Sequence, residues 1–190
     1  MVPPPGIPDA VAEVNTGGSG EWFPAEQIRY YTNVFLVQDD KILLGYKKRG
    51  LGIHKYNGFG GKVEPNESTL DAAARELQEE AGITAPLEHV GVLLFVVPGD
   101  KWAHIDIFRA MEYSGTITES DEMRPEWFKT TNIPFDDMWD ADRYWLPLLL
   151  SERHFSGRVD FEKQGDSFVL KKWWFGIHSS SKSQGASKST

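Results

Sequence analysis

The sequence predicts an α+β fold, with strands early, one helix in the middle and another late. Three observations carry this. Tyr30–Gln38 and Lys41–Lys48 are β-rich runs parted by Asp39-Asp40, the pattern of a hairpin. Thr69–Ala81 repeats apolar residues at helical spacing, and Asp142–Ser151 is a second helical run. Helices that do not alternate regularly with strands point to an α+β sandwich rather than a doubly wound sheet.

The elements follow in order. Met1 to Ile28 reads as an irregular N-terminal arm, because it carries Pro3, Pro4, Pro5, Pro8 and the Gly17-Gly18-Ser19-Gly20 cluster. Trp22 and Phe23 are expected to tack its end onto the body. After the hairpin, Ser68 and Asp71 are spaced as a capping box, and Gly82 stands where a helix C′ glycine belongs. Leu70, Ala73, Leu77 and Ala81 give that helix one apolar stripe. Val90–Val97 and Ile105–Tyr113 are further strand candidates. Pro147 is expected to kink or delay the second helix. Asp160–Phe161 and Phe168–Phe175 form a late hairpin around Gly165-Asp166. The Ser- and Lys-rich stretch Ser179–Thr190 reads as a mobile tail, so the folded domain is expected over residues 29–178.

Composition limits the classes of function. With 190 residues and 40% hydrophobic content, the chain can bury a sizeable core. A net charge of −8 disfavours a partner made of polymeric nucleic acid, which calls for a basic face. No apolar run approaches the ~20 residues of a membrane span. Residues 1–28 hold no Lys or Arg, so no secretory or transit signal is visible. The absence of cysteine removes disulfides, thiolate metal sites and a Cys nucleophile. A monomer in the cytoplasm is expected, with a nuclear or mitochondrial fraction left open.

The chemistry is concentrated between Gly61 and Ile83. At about 100° per residue, Glu76, Glu79 and Glu80 fall within roughly 100° on one helix face. A solvated acidic face is the ordinary alternative. Like charges at i,i+3 and i,i+4 destabilise a helix by a few tenths of a kcal/mol per pair, and acids near its C-terminus oppose the dipole. A divalent cation removes both objections, and hard oxygen ligands suit Mg²⁺ or Mn²⁺. Arg75 is placed to pair with one of the carboxylates and hold its orientation.

This run resembles the Nudix signature in full: Gly61, five residues, Glu67, seven residues, Arg75-Glu76, an aliphatic, one residue, Glu79-Glu80, one residue, Gly82 and an aliphatic. Seven fixed letters match by chance roughly once in 10⁸ start positions. The resemblance implies a Nudix fold, an α/β/α sandwich around a mixed β-sheet, and hydrolysis of a nucleoside diphosphate linked to another group. It implies metal ligation by Glu76, Glu79 and Glu80 with the carbonyl of Gly60. One of these three carboxylates, or Glu122, would serve as general base, with Glu79, Glu80, Glu122 and Arg75 in the catalytic set and Glu122 also near the metal.

The flanks narrow the resemblance. Lys47-Lys48-Arg49-Gly50, Tyr56 to Lys62, Glu119 to Pro125 and Trp139 to Leu150 resemble the subfamily of MutT-homologue oxidised purine nucleoside triphosphatases, the 8-oxo-dGTP diphosphatases. The likeness covers about Tyr30 to Phe175. It implies Mg²⁺-dependent release of pyrophosphate from 8-oxo-dGTP, with 2-hydroxy-dATP as a second candidate. Asn57 would bond the purine edge, Trp139 would stack on the base, Asp142 would read the Watson–Crick edge, and Thr32, Lys47 and Phe95 would complete the pocket. Taken singly, Trp139 is an ordinary half-buried aromatic, Asp142 a helix N-cap and Asn57 a turn residue. The chain also departs from the subfamily, which has two consecutive aspartates after Trp-Pro: here the run is Trp139-Asp140-Ala141-Asp142. Leu51 replaces a Phe and Ala103 a Met, so a roomier pocket is expected. Another modified purine nucleotide, such as a methylated one, or a dinucleoside polyphosphate is the alternative substrate. A binding module without catalysis is the third reading, and the presence of all three signature glutamates counts against it.

Overall fold

The computed structural model describes residues 2–8, 11–24, 27–99, 101–165 and 167–179. In chain order the strands are β1 (Val11–Gly18), β2 (Ile28–Gln38), β3 (Lys41–Lys47), β4 (Tyr56–Asn57), β5 (Ile83–Thr84), β6 (Glu88–Val96), β7 (Trp102–Ala110), β8 (Ser114–Gly115), β9 (Met123–Lys129), β10 (Phe155–Gln164) and β11 (Ser167–His178). Helix α1 is Thr69–Ala81 and α2 is Asp142–Leu150, with a 3₁₀ turn at Phe135–Asp137. The main sheet runs β1-β11-β10-β6-β7-β2-β3-β4, and β9 also pairs with β3. It is mixed: β2 runs parallel to β7 and β10 parallel to β6, while the other pairs are antiparallel. β5 and β8 form a separate short ladder.

Period-two alternation in β2 explains the layers. Val34 and Leu36 join one core with Ala73, Leu77 and Ala81 of α1. Phe35, pointing the other way, joins a second core with Trp145, Leu146 and Leu149 of α2. The two helices therefore cover opposite faces of one sheet. Each fully buried Leu contributes about 1.5–3 kcal/mol.

Helix α1 keeps its expected bounds for local reasons. Ser68 Oγ accepts from the Asp71 amide at 3.1 Å, and the Asp71 carboxylate accepts from the Ser68 amide at 3.4 Å. Gly82 closes the helix at φ 73°, a left-handed conformation that only glycine adopts without cost. The apolar stripe is narrower than the spacing suggests: Leu70 is 48% exposed, and Ala72 is buried instead. Pro147 lies inside α2 without ending it. Ala141 is the N-cap, so Asp142 is the first helical residue rather than the cap.

The largest correction concerns the N-terminal arm. Val11–Gly18 is not irregular; it adds a strand to the sheet beside β11. Its polar residues point at indoles: Trp174 Nε1 donates to Glu13 at 2.7 Å and Trp173 Nε1 to Asn15 at 2.7 Å. The arm is also fixed by a buried ion pair. Arg158 donates to Asp160 at 2.8 and 3.0 Å and to the carbonyls of Pro5 at 2.9 Å and Phe23 at 2.7 Å. The Phe23 amide donates back to Asp160 at 2.8 Å. The rings of Trp22 and Trp102 flank the guanidinium. These partners offset the desolvation that a buried ion pair costs. The strand candidates Val90–Val97 and Ile105–Tyr113 lie slightly off the observed β6 and β7, and the late hairpin is longer than expected on both arms. Residues 180–190 of the expected tail lie outside the described residues.

Candidate active site

Helix α1 aims its carboxylates toward the β3–β9 end of the sheet, and each has a different environment. Glu80 is buried, with Oε2 accepting from the Gly60 amide at 2.8 Å and Oε1 3.7 Å from Lys47 Nζ. Burial pushes its carboxyl up to about 7, against the pull of Lys47 and the Gly60 N–H. Glu76 is half-buried and also raised by burial, with Arg75 opposing. Glu79 remains exposed. Arg75 orients the group: it donates to Glu67 at 2.7 and 3.2 Å, to Glu76 at 2.9 Å and to Glu79 at 3.4 Å.

Across from the helix, Glu122 ends the loop that leads into β9. Lys47 donates to it at 2.6 Å and Arg49 at 3.1 and 3.2 Å. Burial raises the Glu122 carboxyl, but the two cations outweigh it and hold it below the usual range. Gly60 and Gly61 make the approach possible. A Cβ on Gly60 would overlap the backbone of Thr32, and one on Gly61 would overlap the Glu76 carboxylate.

The donor set suits a hard divalent cation. Buried Glu80 feels the like charges of Glu76 and Glu122, which a cation would relieve. Among the described residues, no three acidic or histidine side chains converge into a complete cage.

Only three positions from Gly60, Asn57 stands on the α2 side of the sheet. Its Oδ1 accepts from the Gly58 amide and from Asn33 Nδ2, both at 2.9 Å. An aromatic wall stands on this side too: Phe95 packs on Phe161 at 5.4 Å, and Trp139 contacts Phe161 and Phe168 at 5.9 Å each. Lys55 donates to the Met138 carbonyl at 2.9 Å and lies over the Trp139 ring, tying the β4 approach to the Trp139 segment. Asp142 is buried beneath. Its oxygens accept from Trp145 Nε1 at 2.9 Å and the Trp139 amide at 3.2 Å, and burial raises its carboxyl to about 7.

The structure thus brings Glu76, Glu80, Arg75, Lys47, Glu122 and Gly60 together, with Glu79 at the rim. It groups Phe95, Trp139 and Asp142 on the α2 side with Asn57. Thr32 falls by strand alternation on the α1 side, with a buried Oγ1 that has no partner. Sequence reasoning overlooked Asn33, whose signal is a polar residue inside the apolar run of β2. It also gave Glu67 no role beyond its place in the signature, although its spacing from Arg75 is fixed there. A concavity of about 720 Å³ lies elsewhere, between Gly6–Pro8 and Glu152–Ser156, and none of the expected site residues lines it.

Comparison with known proteins adds four findings. The family described as NUDIX domain matches residues 27–149. The chain is 46% identical to the oxidized purine nucleoside triphosphate hydrolase of Mus musculus over 72% of this chain and 88% of that protein. The protein of the same description from Danio rerio is 47% identical over 74% of this chain and 90% of its own length. Among solved structures, the MutT protein of Bacillus halodurans superposes with a TM-score of 0.65 at 29% identity, covering 77% of this chain and 97% of that one.

Proposed function

This chain belongs to the NUDIX domain family, and from that membership we propose that it hydrolyses oxidised purine nucleoside triphosphates, 8-oxo-dGTP foremost, to the monophosphate and pyrophosphate. Nudix hydrolases generally use a divalent metal; Mg²⁺ is proposed here, with Mn²⁺ as its substitute. The observation that carries the reading is the junction at residues 57–61. It joins an amide on the aromatic side of the sheet to the amide of Gly60, which holds the buried Glu80.

Glu76, Glu79 and Glu80 would hold the metal with the Gly60 carbonyl, and Glu122 stands across from them. When bound, the metal neutralises phosphate charge and lowers the pKa of an attacking water. The chain's own groups supply positioning. Arg75 splays Glu67, Glu76 and Glu79 into fixed rotamers through its planar fork. Lys47 offers a cation to the phosphates while keeping Glu122 ionised. Glu79, Glu80 or Glu122 takes the proton of the water. Trp139 gives the base a π-face at the mouth, with Phe95 behind it and Asn57 supplying hydrogen bonds. A small nucleotide partner suits a chain of net charge −8 that binds through a metal. No helix among the described residues is long and apolar enough to cross a membrane.

The test is pyrophosphate release from a panel of nucleoside triphosphates. Mg²⁺-dependent turnover of 8-oxo-dGTP well above that of dGTP is expected. Equal rates on the two would rule out a sanitising role, and preference for a methylated purine or a dinucleoside polyphosphate would transfer the same centre to another substrate.

A further inference from the structure

An amide is the least predictable of recognition groups, because a half-turn about its last torsion exchanges donor for acceptor. In this pocket that freedom is removed. Asn57 Oδ1 receives two hydrogen bonds, from the Gly58 amide and from Asn33 Nδ2, each at 2.9 Å. Two donors fill both lone pairs of that oxygen. Asn57 Nδ2 has no protein partner among the described residues, so its two N–H groups are free for a ligand. Turning the Asn57 amide over would set its NH₂ against two donors and lose both bonds.

Asn33 itself is an odd choice for folding alone. It stands in β2 between Thr32 and the fully buried Val34, opposite Ile107 of β7. Its Oδ1 is buried with no partner, packed against Gly58, where a Cβ would overlap it. A buried acceptor left without a partner costs stability. A leucine would fill the same volume on this apolar face without that cost. What the asparagine adds is a second donor to Asn57.

We propose that Asn33 is a positioning residue that fixes the Asn57 amide with its donors toward the base, so that the pocket selects purines presenting an oxygen acceptor at that edge. The oxo-guanine type, with a carbonyl at C6, is favoured over the 6-amino type represented by 2-hydroxyadenine. A fixed NH₂ bonds a carbonyl and opposes an exocyclic amine, and a buried mismatch of this kind discriminates more strongly than a missing apolar contact. This inference rests on the proposed purine substrate and specifies which purine.

The experiment compares the wild-type protein and Asn33→Leu by calorimetric titration with 8-oxo-dGMP and 2-hydroxy-dAMP, without metal, so that catalysis is not needed. Wild type is expected to bind 8-oxo-dGMP at least tenfold more tightly than 2-hydroxy-dAMP. In Asn33→Leu that ratio falls by about tenfold, because the freed Asn57 amide accepts from the amine. With 8-oxo-dGTP as substrate, the change appears as a raised KM with kcat within about threefold of wild type. Asn33→Ala, run in parallel, covers the case in which the leucine variant does not fold. An unchanged ratio in a folded variant overturns the role of Asn33. Failure of wild type to bind either purine overturns instead the substrate reading on which the role rests.

Discussion

Lys47 stands between two carboxylates, 2.6 Å from Glu122 and 3.7 Å from Glu80. The Glu80 carboxyl, already raised by burial, is restrained from rising further mainly by this ammonium. Removing it in Lys47→Met disfavours ionised Glu80, so higher pH is needed to form the metal-binding state. At pH 7 the Mg²⁺ midpoint should rise and kcat/KM fall about tenfold to a hundredfold, with the gap narrowing by pH 9. Activity titrated with Mg²⁺ across this range checks it; superimposable titrations at pH 7 would show that Lys47 does not support Glu80.

Neighbouring glycines should fail in different ways. Gly60→Ala drives a methyl into the Thr32 backbone, which is held in the sheet, so about 3 kcal/mol or more of stability is lost. Gly61→Ala meets only the end of the Glu76 side chain, which can swing aside. Its melting temperature should stay near wild type while the Mg²⁺ midpoint rises severalfold. Thermal melts and Mg²⁺ titrations of both variants separate the effects, and equal losses of stability would contradict the assignment.

Two raised carboxyls predict a pH dependence of stability. Glu80 moves from 4.5 to about 7 and Asp142 from 3.8 to about 7, both mainly through burial. A folded-state pKa above the unfolded value means that the native state binds more protons between those limits. The stability is therefore complete below the unfolded pKa and is lost as pH rises through about 7, by up to about 3–4 kcal/mol per group. Glu122, held low by Lys47 and Arg49, acts in the opposite sense only below about pH 4.5. Metal-free protein should melt several degrees higher at pH 5 than at pH 8, and Mg²⁺ should restore part of the difference at pH 8. A melting temperature that rises between pH 5 and 8 without metal would contradict the burial of these groups.

Trp139→Ala removes the indole that Phe161 and Phe168 support edge-on. Stacking on a base is worth about 1–3 kcal/mol. KM for 8-oxo-dGTP should rise about tenfold or more while kcat changes little, because the carboxylate cluster is untouched. Steady-state kinetics decide this, and a fall in kcat with KM unchanged would place Trp139 outside the base pocket.

The parts of the fold that were legible in sequence are those whose signals are local. Helix α1 announced both ends through Ser68, Asp71 and Gly82. β1 was missed because the residues it turns inward, Glu13 and Asn15, are polar and bond to tryptophans about 160 positions away. β9 was hidden by Pro125, which is tolerated because the strand pairs only with β3. Asn33 escaped notice for a related reason: its meaning depends on the orientation of an amide 24 positions later.

The buried Arg158 carries a consequence for the order in which the molecule can be completed. Its partners at Pro5 and Phe23 leave the ribosome well before Arg158 and the β11 strand that β1 pairs with. Among the described residues, strand β1 has no other neighbour in the sheet. Until the β10–β11 hairpin is synthesised, β1 has nowhere to dock, and this edge of the sheet closes only afterwards. A nascent chain halted before Phe155 should therefore hold the α1 side of the core and leave its leading segment open to protease.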